Sequence, residues 1–187
     1  MIDWEKQWEQ HARNFEHGFL HLKAGENLVR LKPGPGFGDM SHPTTRLMLA
    51  MMQDHIIGRY VFDVGCGSGI LGIAAASMGA KRVWAIDIDP DAIEHARMNV
   101  ALNGLQNKME VGKTFPNTDQ PVALMNMIWT EQKQAWPNVD EFITSGILKE
   151  EKVRYIAWLE EQGFNVIGIS EEEGWCGFYF KKEAKPK

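Results

Sequence analysis

Val61-Phe62-Asp63-Val64-Gly65-Cys66-Gly67-Ser68-Gly69 is the stretch on which the fold turns. Its first four residues form an apolar run that stops at alternating glycines, and the alanine-rich segment 70–78 follows and ends at Gly79. A buried strand, a tight turn that lets backbone approach a ligand, and a helix are the reading. On either side, strands are expected at 60–64, 82–88, 109–112, 122–127 and 142–145, and helices at 43–52, 70–78, 90–103 and 150–162. Val153, Ile156 and Ala157 are taken as the inward face of the last helix. Two runs, 164–170 and 175–180, flank the turn Glu171-Glu172-Glu173-Gly174 and read as an antiparallel pair. Repeated β-α alternation predicts an α/β, doubly wound, Rossmann-like domain with a mostly parallel sheet covered on both faces.

The 187 residues suit one domain with a core of its own. We read residues 1–187 as a single domain, 1–40 being an N-terminal helix and a loop over the site and 41–187 the α/β core. Trp4, Trp8, Ala12 and Phe15 recur at helical spacing, whereas 31–39, Leu-Lys-Pro-Gly-Pro-Gly-Phe-Gly-Asp, forbids regular structure. A count of 20 Lys+Arg against 25 Asp+Glu gives a net charge of −5, which argues against direct nucleic-acid binding. The charged N-terminus resembles no secretory signal, and no run approaches the ~18 apolar residues of a membrane span. Cys66 and Cys176 are too few for a disulfide framework, so the cytoplasm is the expected compartment.

Two ligand classes fit the glycines. Gly67-Ser68-Gly69-Ile70-Leu71-Gly72 matches the dinucleotide pattern G-x-G-x-x-G, and Asp63 with Gly65, Gly67 and Gly69 matches D-x-G-x-G-x-G. Charge separates them. A pyrophosphate at the helix N-terminus would be repelled by a carboxylate alongside, whereas S-adenosylmethionine (SAM) brings an ammonium and a sulfonium. Asp63 therefore points to SAM, although it also suits a turn-bracing role. The next strand ends Ile86-Asp87-Ile88-Asp89-Pro90, about 20 residues on, where a carboxylate holds a ribose diol. Asp87 is assigned to the ribose. Asp89, before Pro90, is assigned to the helix N-cap.

Several segments together resemble one family. Phe37-Gly38-Asp39-Met40-Ser41-His42-Pro43-Thr44-Thr45 looks like the FGTGTHPTT motif of the bacterial ribosomal protein methyltransferases (PrmA-like), which methylate amino groups of a ribosomal protein with SAM. The 63–71 and 86–90 segments, Asn126-Met127-Ile128, Ser145-Gly-Ile-Leu148 and Trp175-Cys176 resemble its other motifs. The resemblance implies a class I SAM-dependent methyltransferase fold with seven strands and an antiparallel final pair. It implies that Thr44, Gly65, Asp87 and Asn126 contact SAM and that Phe37 closes over it. Its implied substrate is a protein, through a lysine. Two departures stand out: the chain reads as the catalytic domain without the usual N-terminal substrate-docking domain, and Asp39-Met40 replaces Thr-Gly.

In-line methyl transfer mainly needs alignment, and the acceptor amine must be neutral. Asn126 is the candidate for positioning that amine, with a strand-end turn as its plainer role; no general base stands out. The absence of an Asn-Pro-Pro-aromatic stretch disfavours glutamine and nucleobase acceptors. Trp129 suits a lysine channel by cation–π contact or, more simply, packing. His17 and His21, at i and i+4, lack a third metal ligand and read as a solvated helix face. His42 reads as loop stabiliser, Cys66 as a small turn residue, and 181–187 as a solvated tail. Three other functions remain open: a lysine methyltransferase acting on another protein such as an electron-transfer flavoprotein, a small-molecule amine methyltransferase, and a non-catalytic SAM-binding partner subunit.

Overall fold

The computed structural model describes residues 2–182. The chain opens with α1 (Trp4–His11), capped by the Asp3 side chain, and continues into β1 (Phe15–Glu16), β2 (Phe19–Ala24) and β3 (Asn27–Leu31). These three strands form a small antiparallel sheet. Next come α2 (Pro43–Met52), β4 (Tyr60–Val64), α3 (Ile70–Met78), β5 (Arg82–Ile86), α4 (Pro90–Leu102) and β6 (Met109–Gly112). The remainder is β7 (Val122–Asn126), α5 (Trp129–Ala135), β8 (Glu141–Leu148), a 3₁₀ turn, α6 (Lys152–Glu161), β9 (Phe164–Glu172) and β10 (Trp175–Lys182). The main sheet runs β6-β5-β4-β7-β8-β10-β9, parallel except for the antiparallel contacts of β10. The seven strands and the closing hairpin are as the sequence and the resemblance imply.

Successive residues of a strand face opposite layers, and here both layers are apolar. Val61 of β4 joins Val83, Val122 and Ile143 in a core with Met48 of α2, Ile73 of α3 and Ile93 of α4. Phe62 and Val64 face the other way, onto Phe142, Phe178 and the α6 residues Tyr155 and Leu159. The small sheet lays Leu20, Leu22, Val29 and Leu31 on the outer side of α3. Packed between two sheets, α3 is buried all round from Ile70 to Ala76, which is why it carries alanines rather than an amphipathic stripe.

Several expectations need correction. The N-terminal helix stops at His11, and Phe15 lies in β1. His17 sits in a turn with φ 53° and His21 in β2, so the two do not share a helix face. The 16–31 region is sheet because Leu20, Leu22 and Ala24 alternate at period two, a signal the helical spacing upstream obscures. Helix α5 was not foreseen, and β8 extends on both sides of 142–145. Val153 points outward, 75% exposed, while Tyr155 and Leu159 are the buried residues of α6. Lys181 and Lys182 belong to β10, paired with Glu141 and Asp140; residues 183–187 of the expected tail lie outside the described residues. The β9–β10 turn holds Glu173 and Gly174 at φ 48° and 83°, the two left-handed residues of a tight hairpin.

Candidate functional site

The carboxyl ends of β4, β5 and β7 open into a cavity of about 920 Å³, at the sheet edge where α/β folds bind ligands. Phe37, Thr44, Gly65, Gly67, Asp87 and Asn126 all line it. Asp63 and Gly69 do not. The Asp63 carboxylate is 1% exposed, lies behind the loop and accepts the Gly72 N–H of α3 at 2.9 Å. Burial pushes its pKa up to about 7 against the opposing Gly72 hydrogen bond. Its expected charge-to-charge contact with a ligand is therefore replaced by a brace under α3. Asp87 does face the cavity: one carboxylate oxygen accepts the Gly67 N–H at 3.0 Å and the other accepts the Asp89 N–H at 3.0 Å. Each oxygen has a further lone pair for a ligand hydroxyl. Asp89 caps α4 by accepting the Asp91 N–H, with Pro90 at the first helical position, as expected.

The charged lining is mostly acidic. Asp87, Asp89 and Glu131 face Lys113 alone, and His42 is held below the usual imidazole range by burial, with nearby Arg46 adding to the effect. Such a lining favours a cation and disfavours a pyrophosphate. Ile88, 96% exposed, and Ile128 offer apolar wall.

The roof is a strap, residues 32–38, following β3. The backbones of strap and glycine loop meet directly: Ser68 N–H donates to the Phe37 carbonyl at 2.8 Å, and the Ser68 hydroxyl donates to the Gly38 carbonyl. A Cβ on Gly36 would lie 2.3 Å from the Gly67 carbonyl carbon, so only glycine fits there. Helix α4 holds the strap from outside. Asn99 accepts the Lys32 N–H through its amide oxygen and donates to the Ser68 carbonyl. Asn103 clasps both backbone groups of Arg30. His95 accepts the Gly36 N–H and contacts the Lys32 carbonyl. The sequence reading missed His95, Asn99 and Asn103; their i, i+4, i+8 spacing on one helix face was the available signal.

At the other end, His42 caps α2, its Nδ1 lying 2.8 Å from the Thr44 hydroxyl. This is the stabilising role expected of it. The His42 ring is sandwiched edge-on between Phe37 and Trp175. Met40, where the resembled motif has Gly, keeps a left-handed φ of 67°. Its strain is held by Arg46, which donates to the Met40 and Ser41 carbonyls and pairs with Glu172 and Glu173.

Asn126 donates through its amide nitrogen to the Thr45 hydroxyl at 3.3 Å. Beneath it, buried Gln132 donates to the Met127 and Ser145 carbonyls and accepts from the Tyr155 hydroxyl. Trp129 is packed against Tyr155 and Trp158 with Lys133 over its ring, and does not line the cavity; Trp175 supplies that wall instead. Cys66 is buried in the turn, its thiol pushed up by burial, in keeping with a small structural residue. No group of three or more His, Cys, Asp or Glu among the described residues is arranged to hold a metal.

The model of one family, "Ribosomal protein L11 methyltransferase (PrmA)", matches residues 3–183. The ribosomal protein L11 methyltransferase of Thermoanaerobacter pseudethanolicus is 34% identical over a 203-residue alignment that covers 97% of this chain and 65% of the relative. That of Limosilactobacillus reuteri is 37% identical over 174 residues, covering 87% and 54%. The chain thus spans between about half and two thirds of the length of such relatives. A crystal structure of ribosomal protein L11 methylase from Lactobacillus delbrueckii superposes with a TM-score of 0.69 at 28% identity, over 83% of this chain and 86% of that one. A tRNA m1G37 methyltransferase from M. jannaschii shares the fold, with a TM-score of 0.67 at 20% identity over 91% and 59%.

Proposed function

The chain belongs to the ribosomal protein L11 methyltransferase family, and from that premise we propose that it transfers methyl from SAM to an amino group of a protein, a lysine of a ribosomal protein or of one like it. The observation that carries this reading is the acidic, partly apolar cavity at the carboxyl edge of the sheet, which suits a ligand bearing a sulfonium and an ammonium. The residues present fit SAM. Asp87 has carboxylate lone pairs left for ribose hydroxyls, Gly65 and Gly67 offer a backbone cradle, and Ile88 gives apolar surface for a base. Thr44, Phe37 and Asn126 complete the set, with Asp63 and Gly69 shaping the loop from behind.

When bound, SAM supplies an electrophilic methyl carbon on a sulfonium. Asn126 positions the acceptor: its amide nitrogen is engaged by Thr45, which leaves the carbonyl oxygen free to accept an N–H from an incoming amine. Gln132 holds the backbone beneath Asn126, so the carbonyl is fixed before the amine arrives. Phe37, Met127 and Trp175 give the cavity apolar wall, whose desolvation shifts a lysine ammonium toward the neutral, nucleophilic form against the opposing pull of the acidic lining. We read residues 1–187 as one such domain, and two buried free thiols suit the reducing cytoplasm.

The test is transfer of labelled methyl from SAM into a host-cell extract, separated into protein and small-molecule fractions, with Asp87→Ala as control. A labelled protein band that the control lacks supports the reading and sizes the substrate. Label confined to small molecules would replace the protein substrate with a free amine. SAM binding without any transfer would turn the reading toward a non-catalytic partner subunit.

A further inference from the structure

We infer that His95, a residue of α4 outside the cavity, is the positioning residue that sets the roof of the cofactor site by holding residues 32–36 in place. This rests on the SAM-binding reading above. His95 is 1% exposed, and both its ring nitrogens reach the strap, Nε2 also lying 3.1 Å from the Asn99 amide nitrogen. Nδ1 accepts the Gly36 N–H at 3.1 Å, so the ring proton sits on Nε2, 2.7 Å from the Lys32 carbonyl to which it donates. A single neutral tautomer satisfies both ends. Gly34 passes so close to the ring that a Cβ there would come within 2.5 Å of it, so the strap is moulded on the imidazole.

The chain of contacts runs from His95 to the ligand-facing backbone. Gly36 fixes the next residue, whose carbonyl accepts from Ser68 in the glycine loop; Gly36, Phe37 and Gly67 all line the cavity. Asn99, one turn along α4, joins Lys32 to the Ser68 carbonyl and closes the circuit. Removing the imidazole nitrogens leaves a buried N–H and a partly buried carbonyl without this partner, which the strap relieves by lifting off the loop. The groups facing His95 are uncharged: the edge of the Trp8 ring from α1, the Lys32 carbonyl and Gly36 amide from the strap, and Asn99 on its own helix. A second proton would set an Nδ1–H against the Gly36 N–H, and burial already holds this histidine below the usual imidazole range. The strap is therefore seated at neutral pH and loosened by acid.

The probe is S-adenosylhomocysteine, its Kd measured by calorimetry on the full chain alongside urea unfolding. His95→Phe keeps the ring without its nitrogens and is expected to raise Kd about tenfold or more, the effect of losing two buried hydrogen bonds. His95→Gln restores a donor and an acceptor and is expected to stay within about threefold of wild type. His95→Phe binding within twofold of wild type, or His95→Gln as weak as the Phe variant, overturns the inference; where His95→Phe does not fold, His95→Gln binding about tenfold or more weakly than wild type overturns it. A wild-type chain that binds no S-adenosylhomocysteine instead refutes the SAM reading on which the inference stands.

Discussion

Replacing Asp63 by Asn should convert a pH-dependent stability into a flatter one. The carboxyl titrates near 7 in the folded chain because it is buried, against an ordinary value of 3.8. Between those values the native state keeps a proton that the unfolded state has released. Stability contributed by this group is thus greatest in acid and declines as pH rises, by up to about 1.4 kcal/mol per pH unit. Across the window the loss approaches about 4 kcal/mol, the product of that slope and the interval between the two values. Asn keeps a carbonyl oxygen for the Gly72 N–H and carries no charge. The variant should match wild type within about 1 kcal/mol near pH 4 and exceed it by about 2–4 kcal/mol at pH 8. Urea unfolding of both proteins at pH 4.5, 6 and 8 reads the difference directly, since every other group titrates alike in the two. A difference that stays constant with pH would show that Asp63 folds with an ordinary carboxylate and that the burial argument is wrong.

Asp87 and Asp89 should separate cleanly: Asp87→Ala weakens S-adenosylhomocysteine binding by about 1.5–3 kcal/mol by calorimetry, whereas Asp89→Ala lowers unfolding free energy by about 1 kcal/mol through the lost cap and leaves affinity near wild type. Gly36→Ala should cost at least tenfold in the same affinity because its Cβ meets Gly67 backbone, while Gly112→Ala, with open space around its Cβ, should bind as wild type does. Tyr155→Phe strips the hydroxyl from buried Gln132 and Thr144 and should lower stability by about 1–2 kcal/mol in urea unfolding.

The parallel core was legible because its signals are local. Residues 60–64 end at glycines, 70–78 end at Gly79, and β6 and α2 have the bounds the pattern predicts. The Asp89 cap was legible for the same reason, since cap and proline are adjacent, and Asp87 lines the cavity, although the strand stops at Ile86 rather than running to 88. What sequence spacing hid was orientation and distance. Asp63 is in the glycine motif, but the strand's alternation places it on the Val61 face, toward α3 and away from the cavity. His95, Asn99 and Asn103 show in the sequence as one polar helix face, but what that face holds appears only when the strap, about 60 residues earlier in the chain, is laid against it. The small sheet escaped because a two-residue strand and a short hairpin carry little periodic signal beside two tryptophans at helical spacing.

The strap clasped by α4 also fixes an order of events during synthesis. Residues 32–38 leave the ribosome before every group that seats them: Ser68 comes about 30 positions later, His95 about 60, and Asn103 clasps Arg30 across 73. At about 5–20 residues per second, the N-terminal segment waits roughly 4–15 s for its last anchor to be made. Until 70–78 has been made, in the first part of that interval, Leu20, Leu22, Val29 and Leu31 have no α3 to cover them. The nascent chain therefore carries an apolar hairpin in search of a helix, and the ligand site comes into being only when the second β-α unit arrives to close it.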